Sequence, residues 1–315
     1  MNRSRMQKYR GLFSVMLLVF ALTFALAVSA AEKTVYLGAS DAAEGDGSEA
    51  APFASLAKAI EAVQSGGRIV VTEMYTVTER DAVTADIPRF LSPTHEGKIT
   101  ITSLDGKLDY RRGGACIYFP ETYIYECGGD VRFENVTLKN DAAPIYLAGN
   151  FHALEFGEGF DVKNTKGVAK YLYVIGGYYA PRSKDFPADR DAHITIDNGN
   201  FARVIAFGMG KGAGTYTFTG TAHIYIRGGH IDRIYGGATL NHYAGSLDLQ
   251  VRDGSIGDIY TSGDATRRTL GNAMIGLYGG TMRTLYINNM LGSTEVTLDG
   301  IKLKGIQVTF GSEQI

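Results

Sequence analysis

A glycine that returns in register, each time closing a short alternating strand, constrains this chain more than any other feature of its sequence. Four segments align: HITIDNG at 193–199, HIYIRGG at 223–229, DLQVRDG at 248–254 and MIGLYGG at 274–280. Gly199, Gly229, Gly254 and Gly280 therefore recur after 30, 25 and 26 residues. Within each segment apolar and polar residues alternate, the period of a strand with one buried and one wet face. A second apolar pair follows each glycine: Phe201 and Val204, Ile231 and Ile234, Ile256 and Ile259, Met282 and Leu285. One unit is thus a strand, a glycine bend, a second strand and a loop of variable length. Shorter versions flank the block. VRFENVTL at 131–138 and VTLDGIKL at 296–303 share one pattern, Ile99-Thr100-Ile101 opens an earlier turn, and residues 160–175 supply another. A unit of this size built only from short strands cannot bury its own apolar side, and stacking neighbours solves that problem. The reading is all-β: a single-domain right-handed parallel β-helix. A two-sheet antiparallel sandwich is the alternative, but it calls for more regular hairpin spacing and leaves the glycine register unexplained.

Composition agrees with a turn-rich β protein: 40 Gly, 19 Tyr and no Trp. Basic and acidic residues nearly balance, 31 against 33, and no basic block recurs. Nucleic-acid binding needs an electrostatic footprint that is missing here. At the start of the chain Arg3, Arg5, Lys8 and Arg10 precede an apolar run at 12–28, and Ser29, Ala30 and Ala31 offer a cleavage site. This is the pattern of a bacterial secretory signal peptide spanning 1–31. The run is at the short limit for a spanning helix, about 17 residues, and the polar Glu32-Lys33 that follows favours cleavage over anchoring. The expected product is secreted, extracellular or periplasmic, with no membrane contact after cleavage. Cys116 and Cys127 leave two readings open, a disulfide in an oxidising compartment or two apolar fillers. Their spacing matches no metal signature, and no metal site is expected.

The beginning of the mature chain reads Val35-Tyr36-Leu37, a Gly45-Asp46-Gly47-Ser48 loop, then Ala51-Pro52-Phe53-Ala54-Ser55-Leu56, and later Gly66-Gly67-Arg68-Ile69-Val70-Val71. It resembles the opening of secreted proteins with the pectate-lyase-like right-handed β-helix. The resemblance implies a strand, a Pro-Phe loop, a short amphipathic helix and then the first coil. It speaks for the fold more than for any activity, because one scaffold hosts many functions. Leu56, Ile60 and Val63 fall on one helical face, which suits a helix capping the open end of the stack. The expected organisation is a signal peptide at 1–31, a cap strand and helix leading into the first coil at 32–75, and coils at 76–315.

Loops at 181–191, 209–221, 238–246 and 264–272 leave the unit at one point and so line one edge of the solenoid, where binding residues tend to lie. They carry the catalytic candidates Asp189, Arg190, Asp264, Arg267 and Arg268, and the ligand-binding candidates His242 and Tyr243. Tyr235, Tyr260 and Tyr286 add a column one residue after the buried Ile234, Ile259 and Leu285. Alternation turns them outward, and strands about 4.8 Å apart let them stack as a ladder or pack against sugar rings. His193 and His223 share a column with Asp248 and Met274, a drift in residue type that suits packing better than a metal or acid–base site. Asn-Thr-Asp, paired-Asp, Gly-His-Gly, Arg-Ile-Lys and Trp-containing motifs of the pectin-degrading enzymes do not occur. The expected function is a non-catalytic module that binds a polysaccharide or cell-surface glycan. A divergent polysaccharide lyase or glycoside hydrolase is the second reading. Hydrolysis would use two carboxylates from Asp189, Asp264 and their neighbours. Elimination would use Arg190, Arg267 or Arg268, with aspartates holding Ca²⁺; outside this lyase reading no cofactor is expected. A purely structural or adhesive element is the third. No cap follows the strand-like residues 307–310, so end-to-end self-association through the last coil, or a longer chain, is expected.

Overall fold

Apart from the local hairpin of Leu104–Asp105 with Leu108–Asp109, every strand pair among the described residues is parallel. The computed structural model describes residues 32–79, 87–141, 144–164, 172–179, 189–209, 217–239, 242–263, 271–288 and 292–309. The chain divides into a unit at 1–33 and a β-helical body, Thr34–Ile315. No helix of the described residues is long and apolar enough to cross a membrane.

Three parallel sheets build the body, two along its length and one in the early coils only. Sheet 1 has ten strands, from Thr34–Leu37 and Gly67–Val71 through Val131–Phe133 and Thr221–Ile226 to Thr294–Leu298. Sheet 2 has four: Met74–Thr76, Cys116–Phe119, Thr137–Asn140 and Asp161–Asn164. Sheet 3 has nine, from Arg89–Leu91 and Tyr123–Glu126 to Thr281–Asn288 and Lys302–Thr309. The early coils visit them in that order, the later ones pass from sheet 1 to sheet 3, and each return lands one strand further along, so the architecture is a parallel β-helix.

The aligned segments fall where their register puts them. Ile99, Val131, Leu154, Ile194, Ile224, Leu249 and Ile275 form one inward column of sheet 1, none more than 2% exposed. Each such side chain contributes about 1.5–3 kcal/mol by leaving water. Phenylalanines fill the wider middle of the core: Phe156 lies 5.8 Å from Phe133, 4.9 Å from Phe160 and 5.0 Å from Phe201 between ring centres. At the N-terminal end Ser55 caps the helix Leu56–Ala62 by accepting a hydrogen bond from the Lys58 amide. Leu56, Ala59, Ile60 and Val63 are buried along its inner side, as the helical spacing requires.

Two features differ from the sequence reading. The early coils use three strands instead of two, and their second turn is closed by asparagines: Asn164 Nδ2 donates to Asn140 Oδ1 at 3.1 Å. From residue 200 onward, six-residue strands absorb that corner. Phe201 and Val204 are both buried while Ala202 and Arg203 between them are part-exposed, so alternation breaks where the strand bends. The cysteines resolve as fillers. Cys116 and Cys127 are free and buried, and burial raises both thiols above their ordinary pKa.

The register glycines bend the chain in the left-handed region, at φ 119° for Gly199, 81° for Gly229, 109° for Gly254 and 77° for Gly280. At Gly280 a Cβ would also sit 2.4 Å from the Gly254 carbonyl oxygen of the coil beneath. Gly280→Ala should therefore cost about 1–3 kcal/mol. Gly305, with open space around its Cβ position, should change by no more than about 0.5 kcal/mol when replaced by Ala. Chemical denaturation of the two variants checks this; equal losses would contradict the role given to the bend.

Candidate functional site

Two regions of the surface gather side chains capable of recognition. The first is the outer face of sheet 3. Strand pairing aligns Ala148, Ile175, Ile205, Tyr235, Tyr260 and Tyr286 as one outward column. Its first four members are buried, covered by Tyr146, Tyr179 and Met209 in a small apolar cluster separate from the core. The tyrosines stack as their register predicts: Tyr235 and Tyr260 lie 5.1 Å apart at 11°, Tyr260 and Tyr286 4.6 Å apart at 4°. Because the rings cover one another, their flat faces are largely consumed. What the part-exposed Tyr260 and Tyr286 present to a ligand is ring edges and hydroxyls.

Next to that column runs a second, Tyr146, Tyr173, Arg203, Arg233 and Asp258. The Arg203 guanidinium sits 5.2 Å from the Tyr173 ring centre and 5.8 Å from that of Tyr235, a cation–π clamp from both sides. Tyr146 packs 5.0 Å from Tyr173, and burial pushes its phenol up to about 12. Arg283 holds Asp258 with two hydrogen bonds, Nε to Oδ1 at 2.8 Å and a second to Oδ2. A belt of aromatic rings and guanidinium groups thus crosses six strands, about 24 Å at the strand spacing. An open groove of about 410 Å³ lies along it, lined by Tyr173, Ala202, Arg203, Asp232, Arg233 and Arg283.

The second region is the edge where sheet 3 returns to sheet 1. Asn150 and Phe151 hold the left-handed region at φ 51° and 66°, strained for residues with side chains. His152 follows, its Nδ1 3.9 Å from Asp130 Oδ1. Burial lowers the His152 pKa, with Arg190 adding to that and Asp130 opposing it. Further along sheet 1, His193 and His223 stack at 5.0 Å and 7°, and His223 Nδ1 lies 3.2 Å from Asp248 Oδ2. The Tyr225 hydroxyl donates to the same oxygen at 3.0 Å. The histidine column is a packed row. Among the described residues no three His, Cys, Asp or Glu side chains gather as a metal-binding group.

The sequence candidates distribute unevenly over these regions. Tyr235, Tyr260 and Tyr286 come together on sheet 3. Asp189 and Arg190 are exposed at the sheet 1 edge, and the charge of Arg190 acts on His152 and Tyr178. Asp264, Arg267 and Arg268 lie outside the described residues. His242 and Tyr243 form a short strand paired in parallel with Thr217–Phe218, and their side chains lie outside the description. Arg203 and Arg233 were overlooked, although the glycine alignment places both two residues after the buried Phe201 and Ile231. Comparison with protein-family models, with curated proteins and with solved structures finds no match in any of the three.

His152 and His193 both hold pKa values below the ordinary 6.5, chiefly because burial penalises the charged ring. The unfolded chain then binds these protons more readily than the folded one. Their contribution to stability is fully present above about pH 6.5 and declines as pH falls below it. Thermal melts of wild type and His152→Gln between pH 8 and pH 5 should show a shallower acid decline in the variant. Parallel declines would contradict the burial assigned to His152.

Proposed function

We propose that the chain is an exported, non-catalytic module that holds an extended glycan along the outer face of sheet 3. The observation that carries this reading is the continuous belt of Tyr146, Tyr173, Arg203, Tyr235, Tyr260 and Tyr286 beside an open groove. Nothing in the core requires rings or guanidinium groups there, and a rigid sheet fixes them in a row without ordering cost at binding. The signal-peptide pattern at 1–31 supports export. The resemblance of residues 35–71 to the opening of the pectate-lyase-like family supports a polysaccharide as the partner.

A second reading concerns the sheet 1 edge, where a strained turn precedes His152 and the charge of Arg190 acts on its ring. An imidazole and a guanidinium on one edge are the groups that β-elimination on a uronate uses. The imidazole would take the proton next to the carboxylate, Arg190 would neutralise that carboxylate, and the bond to the glycosidic oxygen would break to leave a carbon–carbon double bond. Arg190→Gln should then abolish the absorbance of unsaturated product made from polygalacturonate. Absence of that absorbance in wild type would remove this second reading.

The binding reading is tested by keeping the stack and removing its hydroxyls. In Tyr260→Phe with Tyr286→Phe the rings still pair, so the melting temperature should hold. Affinity electrophoresis in the retained polysaccharide should show about tenfold weaker binding, from two hydrogen bonds each worth roughly 0.5–1.5 kcal/mol. Wild-type retention in this variant, and also in the double Ala variant, would exclude the tyrosine column as the site.

A further inference from the structure

The outer faces of sheets 1 and 3 treat charge in opposite ways. On sheet 1, opposite signs meet. Arg132 bonds Glu134 at 2.7 Å and Glu155 at 3.0 Å, Lys98 also reaches Glu155 at 3.0 Å, and Arg227 bonds Asp197 at 2.6 Å. On sheet 3, Arg203 and Arg233 stand directly opposite each other on neighbouring strands. Arg203 lies over the Tyr173 and Tyr235 rings, and Arg233 hydrogen-bonds Tyr235. Neither guanidinium forms an ion pair with a carboxylate among the described residues. The next member of their column, Asp258, faces Arg233 in register, yet both its oxygens bond Arg283. Asp232, in the same groove, lies 3.1 Å from the His230 ring. Beyond Arg283 an adjoining groove adds Lys302 and Lys304. Five cations against two carboxylates gather here, in a chain whose net charge is −2.

From this geometry we infer an oxyanion site at Arg203 and Arg233 that takes the carboxylate or sulfate groups of an acidic glycan lying along the solenoid axis. The inference rests on the glycan reading above and narrows its ligand. Guanidinium forks match oxyanions two bonds at a time, and the clamp between Tyr173 and Tyr235 fixes Arg203 before any ligand arrives. Successive cations recur at the strand spacing of about 4.8 Å, comparable to the rise of one sugar in an extended glycan, so neighbouring oxyanions meet neighbouring arginines. The near-neutral chain argues against a nucleic acid, whose binders carry a broad basic footprint.

The test is retention of the full chain on immobilised dextran sulfate against unmodified dextran, polymers with one backbone that differ in their oxyanions. Polygalacturonate against its methyl-esterified form separates carboxylate from sulfate as the preferred group, and a DNA oligonucleotide is run alongside. Dextran sulfate or polygalacturonate should be held, and their uncharged counterparts held at least tenfold more weakly. Arg203→Gln with Arg233→Gln should weaken the charged polymers at least tenfold, while Arg252→Gln on sheet 1 leaves them unchanged. Equal binding to charged and uncharged polymers, or full binding by the double variant, would overturn the oxyanion site and leave the glycan reading standing. Failure to bind any glycan overturns both, and so does Arg-dependent binding of DNA alone.

Discussion

The whole molecule depends on parallel pairing in register between one coil and the next. No coil can close its own core: a strand such as Ile224 to Ile226 presents two aliphatic side chains inward and has nothing on its own coil to cover them from above or below. Neighbouring coils provide that cover, and only if the backbone carbonyls meet the next amides without slippage. A shift by one residue would turn Ile224 and Ile226 to water and bring His223 and Tyr225 into the core. Apolar columns, left-handed glycines and the asparagine pair at the second turn all serve this one constraint, each favouring the same register.

The same constraint shapes the surface. Once coils are locked, any residue type repeated at one position of the unit becomes a row about 4.8 Å in pitch. Where the repeated type alternates in sign, as on sheet 1 around Arg132, Glu155 and Asp197, the row neutralises itself. A repeated tyrosine instead yields a stack whose faces are covered, and a repeated arginine yields a like-charge pair. The outer face of sheet 3 holds both. There the rings hold the guanidinium groups, Arg203 between Tyr173 and Tyr235 and Arg233 hydrogen-bonded to Tyr235, and that fixed row of cations is the physical ground for placing recognition on this face.

Much of this was legible in the sequence, because a solenoid converts linear register into spatial neighbourhood. Tyr235, Tyr260 and Tyr286 could be placed in one column from glycine spacing alone, and their stacking followed from strand separation. That stacking uses up the ring faces was not legible, since it depends on ring orientation and not on register. Sheet 2 is not legible because Thr137–Asn140 and Asp161–Asn164 are short and carry no glycine marker. Arg203 and Arg233 escaped notice for a different reason. The glycine register marks apolar positions, and two charged residues at a broken alternation resemble ordinary solvent-facing residues as long as the bond between Asp258 and Arg283 is unknown. The fate of Cys116 and Cys127 was open because buried fillers and bridged partners have the same composition.

The central claim, that sheet 3 and not sheet 1 is the binding face, is tested most directly by hydroxyl-radical footprinting of the tyrosines with and without saturating dextran sulfate. Tyr260 and Tyr286 are part-exposed on sheet 3, while Tyr225 and Tyr278 serve as reporters on sheet 1. The account predicts that ligand slows oxidation of Tyr260 and Tyr286 and leaves Tyr225 and Tyr278 unchanged. Protection of the sheet 1 pair with no change on sheet 3 would contradict it.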